Sequence, residues 1–232
     1  MDDFVSQVVG VSALAEPARR ALYLYVAAQP EPVSRDQAAA GAELPRHTAK
    51  FHLDKLVADG LLDTEFRRLS GRRGPGAGRP TKLYRRSPWQ VAVTLPQRHY
   101  DLAGQILAGA VEDAARDGGP VLDAVQRAAA AAGHRLGAAV GPRGSSASPL
   151  DDVAAALAAH GYEPRVEGDA VVLANCPFHT LAREHTVLVC DMNLHLITAL
   201  LDELGQPAVR ATLQPTPERC CVTLRTHAGL DP

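Results

Sequence analysis

Four cysteines are the residues best suited to chemistry in this 232-residue chain, and all four lie in its C-terminal quarter. Their spacing, C-x13-C-x29-C-C, contains no C-x2-C pair, which argues against a zinc ribbon or finger. Cys176 follows a predicted strand, Cys190 lies in or at the start of a predicted helix, and Cys220 and Cys221 lie on a predicted strand. Because adjacent strand residues point to opposite faces, only one of the last two is expected to join a shared site.

Thiolates from a loop, a helix and a strand are the donors that an iron–sulfur cluster uses. A fourth ligand is then needed, and His179 is the nearest candidate, with Asp191, His195 and Cys221 behind it. The alternative is that the cysteines are small buried residues that bind nothing. We expect the thiols to be reduced, because no signal peptide is visible and the protein is predicted to be cytoplasmic; structural disulfides are therefore not expected.

Charge is distributed unevenly along the chain, and this asymmetry indicates a nucleic-acid contact. The whole chain carries a net charge of −2, but residues 46–86 hold 11 Lys and Arg against four Asp and Glu. The remainder has 13 basic against 22 acidic residues. A single basic segment on an acidic chain is typical of a DNA-binding surface, although a run of cations can also be a solvated face.

The elements around the basic segment have the order of a winged helix-turn-helix. A first helix begins at Pro17, a second is capped by Ser34 with Gln37 three residues on, and a third runs from Pro45 to Gly60. Two strands follow, separated by a loop rich in Gly and Arg. Residues 16–86 therefore predict helix, helix, helix, strand, basic loop and strand, in which the third helix enters the major groove.

The predicted DNA contacts divide between the third helix and the wing. Phe51 belongs to that helix too, but its apolar neighbours at helical spacing favour a place in the core over base stacking. Side chains of the helix can reach base edges or phosphates, and a Gly-rich arginine loop can follow the backbone or enter a narrow minor groove. The predicted contacts are Arg46, His47, Thr48 and Lys50 of the helix and Arg67, Arg68, Arg72, Arg73, Arg79 and Lys82 of the wing.

The predicted fold is mainly α with α+β parts, in three regions. Residues 1–88 form the winged helix-turn-helix, and residues 89–147 form a helical dimerisation region and linker with two Ala-rich helices, at about 95–116 and 120–140. The alternative is that these helices pack only within their own chain. Residues 148–232 form a small α+β sensor domain that contains a hairpin about Gly168 and Asp169. No stretch is long and apolar enough for a membrane span, so no membrane partner is expected.

A resemblance to known regulators rests on four short segments. The wing segment 78–85, GRPTKLYR, looks like that of winged-helix regulators grouped with the ArsR and DeoR families. The segments NCPFH at 175–179, LVCDMN at 188–193 and RCCV at 219–222 are similar to the SufR family, winged-helix repressors of iron–sulfur-cluster assembly genes. That resemblance implies that Cys176, Cys190 and Cys220 bind a cluster, [4Fe-4S] rather than [2Fe-2S].

The sequence thus predicts a homodimeric repressor that binds an inverted repeat of double-stranded DNA under the control of an iron–sulfur cluster. A second hypothesis is a regulator that senses a small apolar ligand, in which the cysteines are merely buried. Serine replacement of Cys176, Cys190 and Cys220 separates the two. An enzyme is not expected, because the sequence has no phosphate loop, carboxylate pair or base–nucleophile spacing.

Overall fold

The chain folds into two compact units, Met1–Val93 and Thr94–Pro232. The computed structural model describes residues 2–68, 79–140, 148–216 and 219–227. These residues are mostly helical, with one small antiparallel sheet in each unit. Within them, no helix combines the length and the apolar character that crossing a lipid bilayer requires.

The first unit has the element order predicted for a winged helix-turn-helix. The predicted wing loop falls largely on residues 69–78, which lie outside the described residues. A helix before residue 16 and a two-residue strand paired with the second wing strand were not predicted. The elements are α1 (Asp2–Ala13), α2 (Pro17–Ala27), β1 (Val33–Ser34), α3 (Arg35–Gly41), α4 (Arg46–Ala58), β2 (Leu62–Arg67) and β3 (Thr81–Arg86).

Local caps and a shared core fix the three helices of the helix-turn-helix. The Glu16 carboxylate accepts a hydrogen bond from the amide of Arg19 at 2.7 Å, which caps α2. Ser34 and Gln37 form the predicted capping box at the start of α3, so two amides at that helix end are satisfied. The fully buried Leu22 of α2 and Leu53 of α4 lie in one core cluster. The helix-turn-helix is therefore held by packing as well as by its caps.

The second unit combines helices with a four-stranded antiparallel sheet of order β4-β5-β7-β6. The predicted hairpin about Gly168 and Asp169 is confirmed. The helix predicted from residue 95 begins only at Tyr100. Pro96 disfavours a helical conformation of Leu95 before it, and the amide of His99 donates a hydrogen bond to the carbonyl of Pro177. The elements are α5 (Tyr100–Asp117), α6 (Val121–Val140), α7 (Pro149–Ala158), β4 (Pro164–Glu167), β5 (Ala170–Leu173), α8 (His179–Glu184), α9 (Thr186–Glu203), β6 (Val209–Leu213) and β7 (Val222–Thr226).

Helix α9 is the centre of the second unit, and α6 packs against it with almost no space between the two backbones. A Cβ atom on Gly133 of α6 would lie 2.1 Å from the carbonyl oxygen of Leu196. One turn further along, a Cβ atom on Gly137 would lie 2.7 Å from that of Glu203. Only glycine fits at Gly133, because no side-chain carbon can approach a backbone oxygen so closely. This contact therefore sets both the distance and the register of the two helices.

Replacing Gly133 with alanine is expected to destabilise the protein by about 2 kcal/mol or more, because the added methyl group must push α6 away from α9. The matched control is Gly104→Ala, at a helical position in α5 where a Cβ atom meets nothing within 4 Å. That substitution should stabilise the protein by about 0.5–1 kcal/mol through helix propensity. Urea unfolding of the two variants measures the difference, and equal effects would contradict the close packing.

Candidate DNA-binding face and cysteine site

The N-terminal half of α4 presents an exposed face that carries three of the four contacts predicted on this helix. Arg46, His47 and Lys50 are exposed, whereas Thr48 is half-buried. Ala49, Leu53 and Leu56 form the opposite, fully buried face against the core. Helical periodicity therefore turns His47 and Lys50 toward solvent, whereas Arg46 is exposed because it is the first residue of the helix.

Phe51 lies on the exposed face of α4, and the prediction that it belongs to the core is wrong. Its side chain is 68% exposed. It lies two residues from both Ala49 and Leu53, which places it about 160° away from each of them around the helix. The apolar neighbours that suggested burial belong to the other side of the helix.

Several of the predicted DNA-contacting cations pair with carboxylates of the same unit. Arg46 lies 3.3 Å from Asp36 of α3, and Arg67 lies 2.6 Å from Glu65 of the same strand. Exposed pairs of this kind contribute little stability and exchange readily for another anion. The pairs therefore leave these cations available to phosphate groups. Arg68 and Arg79 are exposed, and Arg72 and Arg73 lie outside the described residues.

A carboxylate on the recognition helix connects α4 to the second wing strand. The Lys82 ammonium donates a hydrogen bond to Asp54 at 2.8 Å, and the Tyr84 hydroxyl donates to the same carboxylate oxygen at 3.4 Å. Asp54, Lys82 and Tyr84 line a pocket of about 500 Å³, together with residues of α3 and Lys50. The predicted contact Lys82 is thus positioned by α4.

All four cysteines line one pocket of about 180 Å³ in the second unit. Cys176 follows β5, Cys190 lies one turn into α9, and Cys220 and Cys221 precede β7. All four side chains are buried, and the pocket also contacts the exposed side chains of His179 and Arg183. The three predicted ligands and the nearest predicted fourth ligand are therefore brought together.

Two expectations about the cysteines are wrong. Cys190 and Cys221 form a disulfide, with 2.50 Å between their Sγ atoms, although reduced thiols were expected. Cys220 and Cys221 also both line the pocket, although strand alternation predicted that only one would do so. The physical reason is that both residues lie in a bent segment before β7, where the alternation of an extended strand does not apply.

Cys176 and Cys220 are free cysteines that share a hydrogen bond. That hydrogen bond lowers the pKa of Cys176 and raises the pKa of Cys220 well above its ordinary value. Burial opposes the first shift and reinforces the second, and Arg98 also favours the Cys176 thiolate. The pair therefore holds one proton most readily on Cys220, and the negative charge develops on Cys176.

A buried polar network supports Cys220 from within the core. The Asn193 side-chain amide of α9 donates to the Cys220 sulfur at 3.3 Å, and the Tyr162 hydroxyl donates to the amide oxygen of Asn193. Both residues are almost completely buried, and burial raises the pKa of Tyr162 well above its ordinary value. The sequence analysis missed this network, although an asparagine three residues after Cys190 on an apolar helix was a signal for it.

The backbone of Cys176 is fixed by a second set of hydrogen bonds. Arg98 donates to the carbonyl of Cys176 at 2.9 Å and to the side-chain oxygen of Asn175. The Asn175 amide in turn donates to the carbonyls of Gln97 and Gly161. This end of the pocket is consequently held by residues that precede α5 and follow α7.

The remaining ligand candidates, Asp191 and His195, pair with each other at 3.7 Å. Asp191 also accepts a hydrogen bond from Gln126. Among the described residues, no three His, Cys, Asp or Glu side chains form a group that could hold a metal ion. A cysteine binds a metal through its thiolate, and the disulfide leaves Cys190 and Cys221 without one.

Residues 14–65 match the family described as "Helix-turn-helix domain". The match spans α2, α3, α4 and most of β2, and it covers less than a quarter of the chain. No curated protein and no solved structure matches the chain. The helix-turn-helix match indicates a DNA-binding transcriptional regulator and leaves the cysteine-containing unit without a comparison.

Removing one partner of the Tyr162–Asn193 hydrogen bond should destabilise the protein by about 1–3 kcal/mol, because the other polar group stays buried without a partner. Tyr162→Phe and Asn193→Leu test this singly and together, and we expect the double variant to lose less than the sum. The measurement is urea unfolding of the full chain, and additive losses would contradict the network.

Tyr100→Phe is the matched control for this double-mutant cycle. Its hydroxyl donates to the Thr180 hydroxyl at 2.8 Å at an exposed position of the same unit. Water can replace that hydrogen bond, so we expect a change below about 0.5 kcal/mol.

Proposed function

We propose that this protein is a winged helix-turn-helix transcriptional repressor whose DNA binding is controlled by an iron–sulfur cluster held by its C-terminal cysteines. The observation that carries the proposal is the convergence of four sulfurs, from three separate segments, on one pocket. The resemblance to the SufR family extends it to a [4Fe-4S] cluster and to the genes of cluster assembly. We also propose that the protein acts as a homodimer on an inverted repeat.

The donor set of the pocket fits an iron–sulfur cluster. Cys176, Cys190, Cys220 and Cys221 supply four thiolates once reduced, and thiolate is the donor that these clusters take. Arg98, Arg183 and Arg219 lie on or next to the pocket and offset the negative charge of the thiolates. His179 remains the alternative to Cys221 as fourth ligand.

The Cys190–Cys221 disulfide adds redox control to the proposed cluster binding. A sulfur in a disulfide has no thiolate charge to donate, so ligation by Cys190 requires that this bond is first reduced by two electrons. When bound, the cluster supplies an oxidation-sensitive link between the loop after β5, helix α9 and the segment before β7. An oxidant such as dioxygen that destroyed the cluster would remove that link. The freed Cys190 and Cys221 thiolates would then lose two electrons to the same oxidant and form the disulfide, which blocks reloading until it is reduced.

The full chain purified anaerobically under reducing conditions is expected to contain iron and acid-labile sulfide and to show broad visible absorbance. Cys176→Ser, Cys190→Ser and Cys220→Ser should each lose most of the iron, because each removes a ligand from a different segment. His195→Ala is the control, since His195 pairs with Asp191, and should keep it. Comparing Cys221→Ser with His179→Ala identifies the fourth ligand.

Wild-type protein without iron and sulfide would contradict the cluster. If the three serine variants also kept wild-type DNA binding, the sulfurs would have no part in regulation and a small apolar ligand would be the better hypothesis.

Lys50→Ala is expected to weaken binding to double-stranded DNA of any sequence. It should also lower the slope of log affinity against log salt by about 1, because a phosphate contact releases roughly one counterion. Lys55→Ala is the matched control: it lies on the same helix, but in its last turn, away from the residues of the helix that are predicted to contact DNA. Fluorescence anisotropy at several salt concentrations measures both slopes, and equal slopes for the two variants would place the phosphate contact elsewhere.

A further inference from the structure

Phe51 is the most exposed large apolar side chain of the helix-turn-helix. It is the sixth residue of α4, one turn after His47 on the same face and directly after the exposed Lys50. The first residues of a recognition helix are those that contact base edges. Phe51 therefore lies in the part of α4 that, in a recognition helix, faces the base edges of the major groove.

The orientation of the Phe51 ring is restricted by its neighbour. The rings of Phe51 and His52 pack edge to face, with their centroids 5.2 Å apart and an angle of 72° between their planes. The His52 ring is mostly buried, and its Nδ1 lies 3.6 Å from the carboxylate of Glu16, the cap of α2. A ring supported in this way loses little freedom when it makes a contact.

The charges around Phe51 identify the kind of partner that covers it. The exposed cations Arg46 and Lys50 lie on the same two turns of α4 as Phe51, and the core of a protein–protein interface is depleted of charged residues. An apolar ring among cations instead matches a partner that combines an anionic backbone with apolar groups. In double-stranded DNA the C5-methyl group of thymine is the apolar group of the major groove.

We propose that Phe51 contacts the C5-methyl group of one thymine in each half-site and thereby selects thymine at that position. The inference rests on the proposed DNA-binding function and adds a specificity-determining residue to it. Phosphate contacts from Arg46 and Lys50 carry no sequence information, whereas an apolar contact to a methyl group distinguishes thymine from the other three bases.

The test uses the full chain, purified anaerobically, and a duplex enriched by this protein from a randomised DNA pool. Each thymine of the enriched duplex is replaced in turn by deoxyuridine, which removes only the C5-methyl group. We expect sensitivity at one thymine position in each half-site. A single replacement there should weaken wild-type binding by about four-fold, the loss of affinity that corresponds to one buried methyl group. Phe51→Ala should bind the unmodified duplex at least four-fold more weakly and lose its sensitivity at that position alone.

Three controls separate the methyl contact from other effects. Phe51→Leu keeps an apolar side chain and should keep sensitivity to the methyl group. Leu24→Ala removes another exposed apolar side chain, 60% exposed and outside the α3–α4 pair, and should bind like the wild type. Phe51→Ala is expected to fold normally, because the ring is exposed and alanine favours a helix, and circular dichroism checks this.

The outcomes distinguish this inference from the function on which it rests. If the wild type enriches no duplex, DNA binding itself fails and the inference fails with it. If it enriches a duplex but Phe51→Ala binds as tightly as wild type, or keeps the same response to every deoxyuridine, the protein binds DNA and the thymine contact is overturned.

Discussion

The close packing of α9 against Gly133 of α6 is the constraint on which the rest of the second unit depends. Helix α9 buries its apolar side chains against α6 and the sheet, and the same helix carries Cys190 and Asn193. Because the register of α9 is fixed by the bare backbone of Gly133, the positions of both side chains are fixed as well. Asn193 then bonds to Cys220, and Cys190 lies opposite Cys221. The arrangement of sulfurs is thus a consequence of helix packing.

In the first unit, carboxylates orient the cations that we expect to contact DNA. Asp54 positions Lys82, and Asp36 lies against Arg46. A cation held near its place of action loses less side-chain entropy on binding than one that is free in solvent. The weak carboxylate partners are displaced readily by a polyanion, so they orient these side chains without blocking them.

The sequence predicted the features that depend on local patterns. The capping box of Ser34 and Gln37, the hairpin about Gly168 and the order of the winged helix follow from residue type and spacing, and the structure has them. Phe51 was misassigned because it was grouped with apolar residues near it in the sequence, whereas the turn of the helix places Ala49 and Leu53 on the other side. The pairing of Cys190 with Cys221 and the Tyr162–Asn193 hydrogen bond depend on contacts between residues about 30 positions apart, which spacing does not encode.

The close approach at Gly133 also restricts how α9 can move. A small axial shift of α9 would carry the Leu196 carbonyl away from Gly133, where α6 has no side chain at the contact, and toward neighbouring residues of α6 that have one. Sliding of α9 along α6 is therefore blocked by steric clash. The first turn of α9, where Thr186 begins the helix and Val187 is almost fully exposed, is far less confined. The first turn of α9, which carries Thr186 and Val187 and precedes Cys190, can therefore wind or unwind while the rest of the helix keeps its register on α6.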